Sequence, residues 1–326
     1  MGPEADAARP SRDSIAPLSS DLLAVGDGHE LYVKSVGHAG GIPAVYLHGG
    51  PGSGCQPDHR RLFDGERFQA ILFDQRGCGR SRPKGSREHN TLPHLIADME
   101  LIRQKFGFEK WMVVGGSWGA TLALAYAEAH PLRVSGLVLR AAFLGTTAEV
   151  DTAFTSVLAR FYPELHSDFL QVLPAQERAQ PVLAYFRRIL DPDPAVYIPA
   201  ARAWHDTERA LSEIAPARPR LERAQLNASS SLPATPFMEA HYFINDCFMR
   251  PDQLLNDAGR LADIPGIIVQ GRYDLLCPPA TSLALAARWP RAEIRIVEGA
   301  GHTLYDPGVR DAVMKAIADL ASRITM

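Results

Sequence analysis

Short apolar runs punctuated by glycine-rich turns dominate both ends of the chain. Residues 22–25 and 30–36, separated by Gly26-Asp27-Gly28, predict a β-hairpin. Residues 44–47 form an apolar run that ends in His48-Gly49-Gly50-Pro51-Gly52, and residues 69–73 form another that ends in Asp74-Gln75-Arg76-Gly77. The spacing of Leu95, Met99, Ile102 and Phe106 predicts a helix over 92–106. A strand over 111–114 then runs into Gly115-Gly116-Ser117-Trp118-Gly119. An alanine-rich helix over 120–129, stopped before Pro131, and a strand over 134–139 follow.

This alternation of strand and helix predicts a mostly parallel sheet covered on both faces. The rhythm stops between residues 146 and 250, where helical patterns and loops rich in Pro, Arg and Asp replace it. It resumes with strands at 266–270 and 293–297 and a last helix over 309–324. The expected organisation is therefore an α/β core (21–145 and 251–326) interrupted by a helical cap (146–250). Residues 1–20 are expected to be a disordered N-terminal segment.

Composition narrows the partners. The chain has 326 residues, 46% hydrophobic and 22% charged, with a formal net charge of −3. Nothing in that balance favours nucleic acid or an anionic membrane. The four cysteines, Cys55, Cys78, Cys247 and Cys277, show no metal-ligand or disulfide-scaffold spacing, which fits free thiols in a reducing compartment. No apolar run reaches membrane-spanning length and the N-terminus lacks a signal-peptide pattern, so a cytoplasmic protein is expected.

The candidate chemistry begins at Ser117, the centre of a G-x-S-x-G pattern between a strand and a helix. Such a turn exposes the hydroxyl, and its neighbours must be small to let the chain pass. A serine needs a base, and the base needs an orienting carboxylate. Asp274 follows the strand at 266–270 and His302 follows the strand at 293–297, in the chain order Ser, Asp, His that the α/β-hydrolase fold uses. Ser117, Asp274 and His302 are thus the expected triad. The backbone N–H groups of Trp118 and Gly50 are the expected oxyanion donors. Asp74 precedes the nucleophile, the wrong order for the acid, and with Arg76 is expected to fix a loop; His48 is expected to pack structurally. This chemistry requires no cofactor and no metal.

His48-Gly-Gly-Pro-Gly-Ser-Gly-Cys55, Asp74-Gln-Arg-Gly-Cys-Gly-Arg-Ser81, Gly115 to Tyr126, Gly271-Arg-Tyr-Asp274 and Gly299-Ala-Gly-His302 together resemble the proline iminopeptidases. The resemblance extends from about residue 22 to the end of the chain. It implies an α/β-hydrolase fold with a helical cap, and release of N-terminal proline from peptides through an acyl-enzyme. It also implies that cap glutamates bind the substrate's α-imino group: Glu208 in Ala201-Arg-Ala-Trp-His-Asp-Thr-Glu208, and Glu239 in Phe237-Met-Glu-Ala-His-Tyr-Phe-Ile-Asn245. Phe143 corresponds to the aromatic residue that lines the proline pocket. Two places depart from the family pattern: Thr207 replaces an aromatic residue, and Ala141-Ala142 replaces Gly-Ile before Phe143. The residues alone leave open an ester or amide hydrolase without strict proline preference, and a non-catalytic binding protein. Oligomeric state is not readable from the chain.

Overall fold

Among the described residues the chain forms eight strands: β1 (Pro17–Gly26), β2 (His29–Gly37), β3 (Ile42–Leu47), β4 (Phe68–Phe73), β5 (Trp111–Ser117), β6 (Val134–Ala142), β7 (Gly266–Gly271) and β8 (Ala292–Val297). The structure is a computed structural model that describes residues 17–217, 219–227 and 232–324. The strands form one sheet in the order β1-β2-β4-β3-β5-β6-β7-β8. β2 runs antiparallel to β1 and β4, and every pairing from β4 onward is parallel. β3, β5, β6 and β7 carry apolar runs rich in Val, Ile and Leu because both faces of a parallel sheet are covered.

β1 corrects one expectation. It starts at Pro17, inside the segment expected to be disordered, and residues 1–16 lie outside the described residues. The strand is mostly exposed and lacks the alternation that marks a half-buried edge, so its first residues read as polar linker.

One face of the sheet packs against α1 (Leu92–Lys105) and α2 (Trp118–Ala129), and the other against the carboxy-terminal helix. α2 is buried on every side through Glu128, so its alanines let the sheet and α1 approach closely. Between β6 and β7 the described residues form helices and turns only: α3 (Thr147–Thr152), α4 (Leu158–Phe161), α5 (Pro163–Val172), α6 (Pro181–Ile189), α7 (Pro194–Ser212), α8 (Arg223–Leu226), α9 (Thr235–Phe243) and α10 (Gln253–Asn256). α11 (Pro279–Ala286) and α12 (Val309–Ile324) complete the core, and Val313, Ile317 and Leu320 of α12 share one buried face.

An aromatic stack holds the cap together. Phe154 lies flat on Trp204, with ring centroids 3.9 Å apart, and Phe169 on Tyr185, 4.0 Å apart. Each such pair contributes about 0.5–1.5 kcal/mol beyond the area it buries. Tyr242 of α9 ties cap to core, its ring 4.5 Å from that of Trp118 and its hydroxyl donating to Asn90 Oδ1 at 2.7 Å. Among the described residues no helix is long and apolar enough to cross a membrane.

Candidate active site

Ser117 is the last residue of β5 and the cap of α2, with φ 57° and ψ −125°. An L-residue adopts that backbone only under constraint from its surroundings. The glycines around it show the constraint. A β-carbon at Gly115 would lie 2.2 Å from the carbonyl oxygen of Gly119, and one at Gly119 would lie 2.2 Å from that of Leu47. Only a strand that turns straight into a helix against its neighbour brings backbones this close. The helix therefore begins at Trp118, two residues before the alanine run suggests.

Asp274 and His302 occupy loops beyond the carboxyl ends of β7 and β8, on the same edge of the sheet as Ser117. His302 Nδ1 is 2.9 Å from Asp274 Oδ2 and 3.0 Å from Oδ1. Both groups are buried. Asp274 Oδ1 also accepts the backbone N–H groups of Leu276 and Cys277, at 3.0 and 2.8 Å. Nδ1 therefore donates to a fully occupied carboxylate, which leaves Nε2 free to take a proton. Among the described residues no hydrogen bond joins Ser117 Oγ to the ring; such contacts commonly tighten with substrate in place.

Two features of this loop pair escape sequence reasoning. A β-carbon at Gly271 would lie 2.0 Å from the carbonyl oxygen of Gly301, so the acid loop and the base loop run in direct backbone contact. Arg140 on β6 donates through Nη1 to the carbonyl of His302, and its guanidinium fills the space beside Gly116. No local pattern marks Arg140, because its partners come from a distant strand end and a distant loop.

The loop after β3 lies against the nucleophile, since a β-carbon at Gly49 would be 3.7 Å from Ser117 Cβ. Gly50 has φ 108°, a region open to glycine, and a cis bond joins it to Pro51. His48 is buried beneath this loop, its Nε2 accepting the Gln75 N–H at 3.0 Å and its Nδ1 facing Gly49 O at 2.9 Å. Burial lowers its pKa and keeps the ring neutral. Asp74 accepts the N–H of Cys55 at 2.7 Å and both the N–H and Nε of Arg80 at 2.8 Å. Arg76 pairs with the buried Asp98 at 2.7 Å. Both residues fasten loops, as their positions suggest.

Five of the expected residues line one cavity: Gly50, Ser117, Phe143, Glu208 and Glu239. Trp204 and Glu208 project from one face of α7, and Glu239 and Phe243 from one face of α9. Glu208 and Glu239 are neighbours in this buried wall, where Trp204 Nε1 donates to Glu239 Oε2 at 2.6 Å and Glu239 Oε1 has no hydrogen-bond partner. Burial raises the pKa of both carboxyls, and the neighbouring Glu208 raises that of Glu239 further. The site therefore resists a second negative charge on the pair. Phe143 meets Phe243 edge to face at 5.7 Å, and Thr121 Oγ1 donates to the Phe143 carbonyl at 2.8 Å. Phe154 enters the same wall from a π-helical turn, Ala153–Val157. The cap also leans on the glycine-rich loop: a β-carbon at Gly52 would lie 2.8 Å from Thr235 Cα at the start of α9.

Away from this cavity, Asp27, His89 and His94 bring three potential ligand atoms within 4.8 Å of one another. Asp27 already pairs with Arg76 at 3.2 Å. That surface group takes no part in the arrangement around Ser117.

A serine at a strained strand-to-helix turn, a carboxylate-oriented imidazole and a pocket beneath the cap can perform acyl transfer. Comparison with known proteins agrees with that chemistry. A family model described as alpha/beta hydrolase fold matches residues 43–309. A proline iminopeptidase of Neisseria meningitidis serogroup A is 42% identical over 306 residues, covering 93% of this chain and 96% of its own. One from Arabidopsis thaliana is 41% identical, covering 90% of this chain and 78% of its own. Among solved structures, a proline iminopeptidase from Mycobacterium smegmatis superposes with a TM-score of 0.63 at 17% identity, covering 94% of this chain and 99% of its own. A proline iminopeptidase-related protein from Thermus thermophilus superposes with a TM-score of 0.61 at 22% identity, covering 94% and 99%. These two share the fold; the sequence relatives carry the closer kinship. The chain belongs to the proline iminopeptidase family of the α/β-hydrolase fold.

Proposed function

We propose that this protein is a serine aminopeptidase that releases N-terminal proline from peptides through an acyl-enzyme. The observation that carries this reading is the Glu208–Glu239 pair in the same cavity as Ser117. A prolyl N-terminus is a secondary ammonium with two N–H bonds and one positive charge. Two facing carboxyls offer an acceptor for each bond, and a buried cation requires such partners. The ring of Phe143 offers an apolar face to the pyrrolidine.

The proposed reaction has two steps, acylation and hydrolysis. Ser117 Oγ attacks the prolyl carbonyl carbon while His302 Nε2 takes the hydroxyl proton. Asp274 holds the resulting imidazolium. The tetrahedral oxyanion accepts the N–H groups of Trp118 and Gly50. Its collapse breaks the C–N bond, and His302 returns the proton to the departing amine. A water that loses a proton to the same ring attacks the prolyl ester, proline leaves, and Ser117 regains its hydrogen. The peptide substrates are the only partners this scheme requires, and the four free, buried thiols support a reducing, cytoplasmic setting.

Turnover of aminoacyl-arylamides with free and acylated N-termini tests the reading. Prolyl-arylamide should be cleaved, its N-acylated form should not, and Ser117→Ala should remove turnover without unfolding the protein. Cleavage of short-chain esters together with inert prolyl- and alanyl-arylamides would replace the peptidase with an ester hydrolase of the same fold.

A further inference from the structure

Gln75 belongs neither to the candidate triad nor to the cavity, yet its side chain bridges the two segments that carry the proposed oxyanion donors. Its Oε1 accepts the indole N–H of Trp118 at 2.8 Å, and its Nε2 donates to the carbonyl of His48 at 3.0 Å. Its own backbone N–H donates to His48 Nε2, also at 3.0 Å. The residue is fully buried. Trp118 follows the nucleophile, and His48 begins the loop that reaches Gly50.

We propose that Gln75 is a positioning residue that fixes the spacing between the two oxyanion donors, Trp118 N–H and Gly50 N–H. The proposal rests on the acyl-transfer reading of the site but not on proline as the substrate. A carboxamide suits this place because it offers one acceptor and one donor on a rigid plane. Glutamate would set a second acceptor against the His48 carbonyl, and methionine would leave both partners unpaired in a buried site. Backbone packing of Gly119 on Leu47 sets how closely the two segments approach, and the Gln75 bridge supplies side-chain hydrogen bonds between them. Tyr242 touches Trp118 only through its ring, and His48 is held to the loop after β4 by Gln75 itself. Gln75 acts at a distance from the substrate, so it should influence the charged transition state and leave ground-state binding nearly untouched.

Loss of a whole oxyanion donor costs about 10²–10³ in rate. Misplacing the pair should cost about 10–100-fold. The test compares wild type, Gln75→Met, Gln75→Glu, Trp118→Phe and the double variant Gln75→Met/Trp118→Phe. The first readout is the rate at which a fluorophosphonate labels Ser117, which depends on the oxyanion donors and not on proline recognition. The second is the affinity for an aldehyde analogue of proline relative to free proline. In Gln75→Met, labelling should slow at least 10-fold. Aldehyde affinity should fall by a similar factor, while free proline binds within about twofold of wild type. The double variant should be no slower than the worse single variant, because both remove one bridge. Labelling within twofold of wild type in folded Gln75→Met or Gln75→Glu overturns the proposal. So does a parallel loss of aldehyde and proline affinity, which marks general damage to the pocket. If any glutamine variant fails to fold, Trp118→Phe alone decides, since it removes the same hydrogen bond. Normal labelling in a wild type that ignores prolyl-arylamide would sink the aminopeptidase reading and leave this test intact.

Discussion

Trp204 Nε1 donates to Glu239 Oε2 at 2.6 Å, and this bond points Glu239 at Glu208 rather than at solvent. The indole favours one ionised oxygen, while burial and the neighbouring Glu208 raise the pKa. Binding of a prolyl cation should favour the doubly ionised pair. The carboxyl pKa values are raised, so the dyad gains its second negative charge only as pH rises. KM for prolyl-arylamide should therefore fall with rising pH until the substrate's own imino group loses its proton. A pH profile of KM measured separately from kcat checks the sign. Glu239→Gln should raise KM about 10–100-fold at neutral pH, the scale of one buried hydrogen bond to a charged group.

The same substitution should make the protein more stable. A carboxyl whose folded pKa is raised stabilises the fold fully below its unfolded pKa, and that contribution is lost as pH rises through the folded value. Above that window Glu239→Gln should unfold at a higher temperature than wild type, because it carries no buried charge. Thermal unfolding at acidic and alkaline pH measures the difference, which should shrink toward zero below the ordinary glutamate pKa.

Glu128, at the buried end of α2, poses the same problem away from the active site. Neither carboxylate oxygen has a hydrogen-bond partner, and burial lifts its pKa from 4.5 to about 8. Its contribution to stability is complete below pH 4.5 and lost as pH rises through 8, a difference on the order of 5 kcal/mol. Glu128→Gln should flatten the decline of melting temperature over that interval and leave kcat unchanged. A parallel decline in both proteins would exclude Glu128 as its source.

Ala141 has φ 49° in the stretch that leads to Phe143, where the family pattern has glycine. A left-handed alanine costs about 1–2 kcal/mol, partly offset by the greater unfolded-state freedom of glycine. Ala141→Gly should raise stability by up to about 1 kcal/mol. Chemical denaturation resolves that change, and a loss of stability would show that the site needs the methyl group for packing.

Gly271 sets how closely the Asp274 and His302 loops meet. Any β-carbon there meets the Gly301 carbonyl at 2.0 Å, so Gly271→Ala must push the Asp274 and His302 loops apart. The expected result is a loss of about 1–3 kcal/mol in stability and a larger fall in kcat than in substrate affinity. Retention of wild-type kcat would mean that the two loops move together.

Much of this is legible along the chain. Strands that end in glycine-rich loops locate Ser117, Asp274 and His302, because a parallel sheet puts its functional loops at one edge. Glu208 and Glu239 are different. Each sits in an ordinary helical pattern, and only the packing of α7 on α9 pairs them, so resemblance to a family points to them before geometry does. Gln75 is overshadowed by its charged neighbours Asp74 and Arg76, since an uncharged amide shows its value only once both partners are in place. The start of β1 escapes the pattern because an exposed strand obeys no apolar rhythm.

Thr235 resting over Gly52 has a wider consequence. Backbone meets backbone there, with no side chain between that could swing aside. The cap and the loop after β3 therefore cannot shift against each other at this point by a change of rotamer; any relative movement must carry main chain with it. Whatever opens above Ser117 has to open elsewhere along the cap, and a single methyl group at residue 52 would be enough to set the two layers at a new distance.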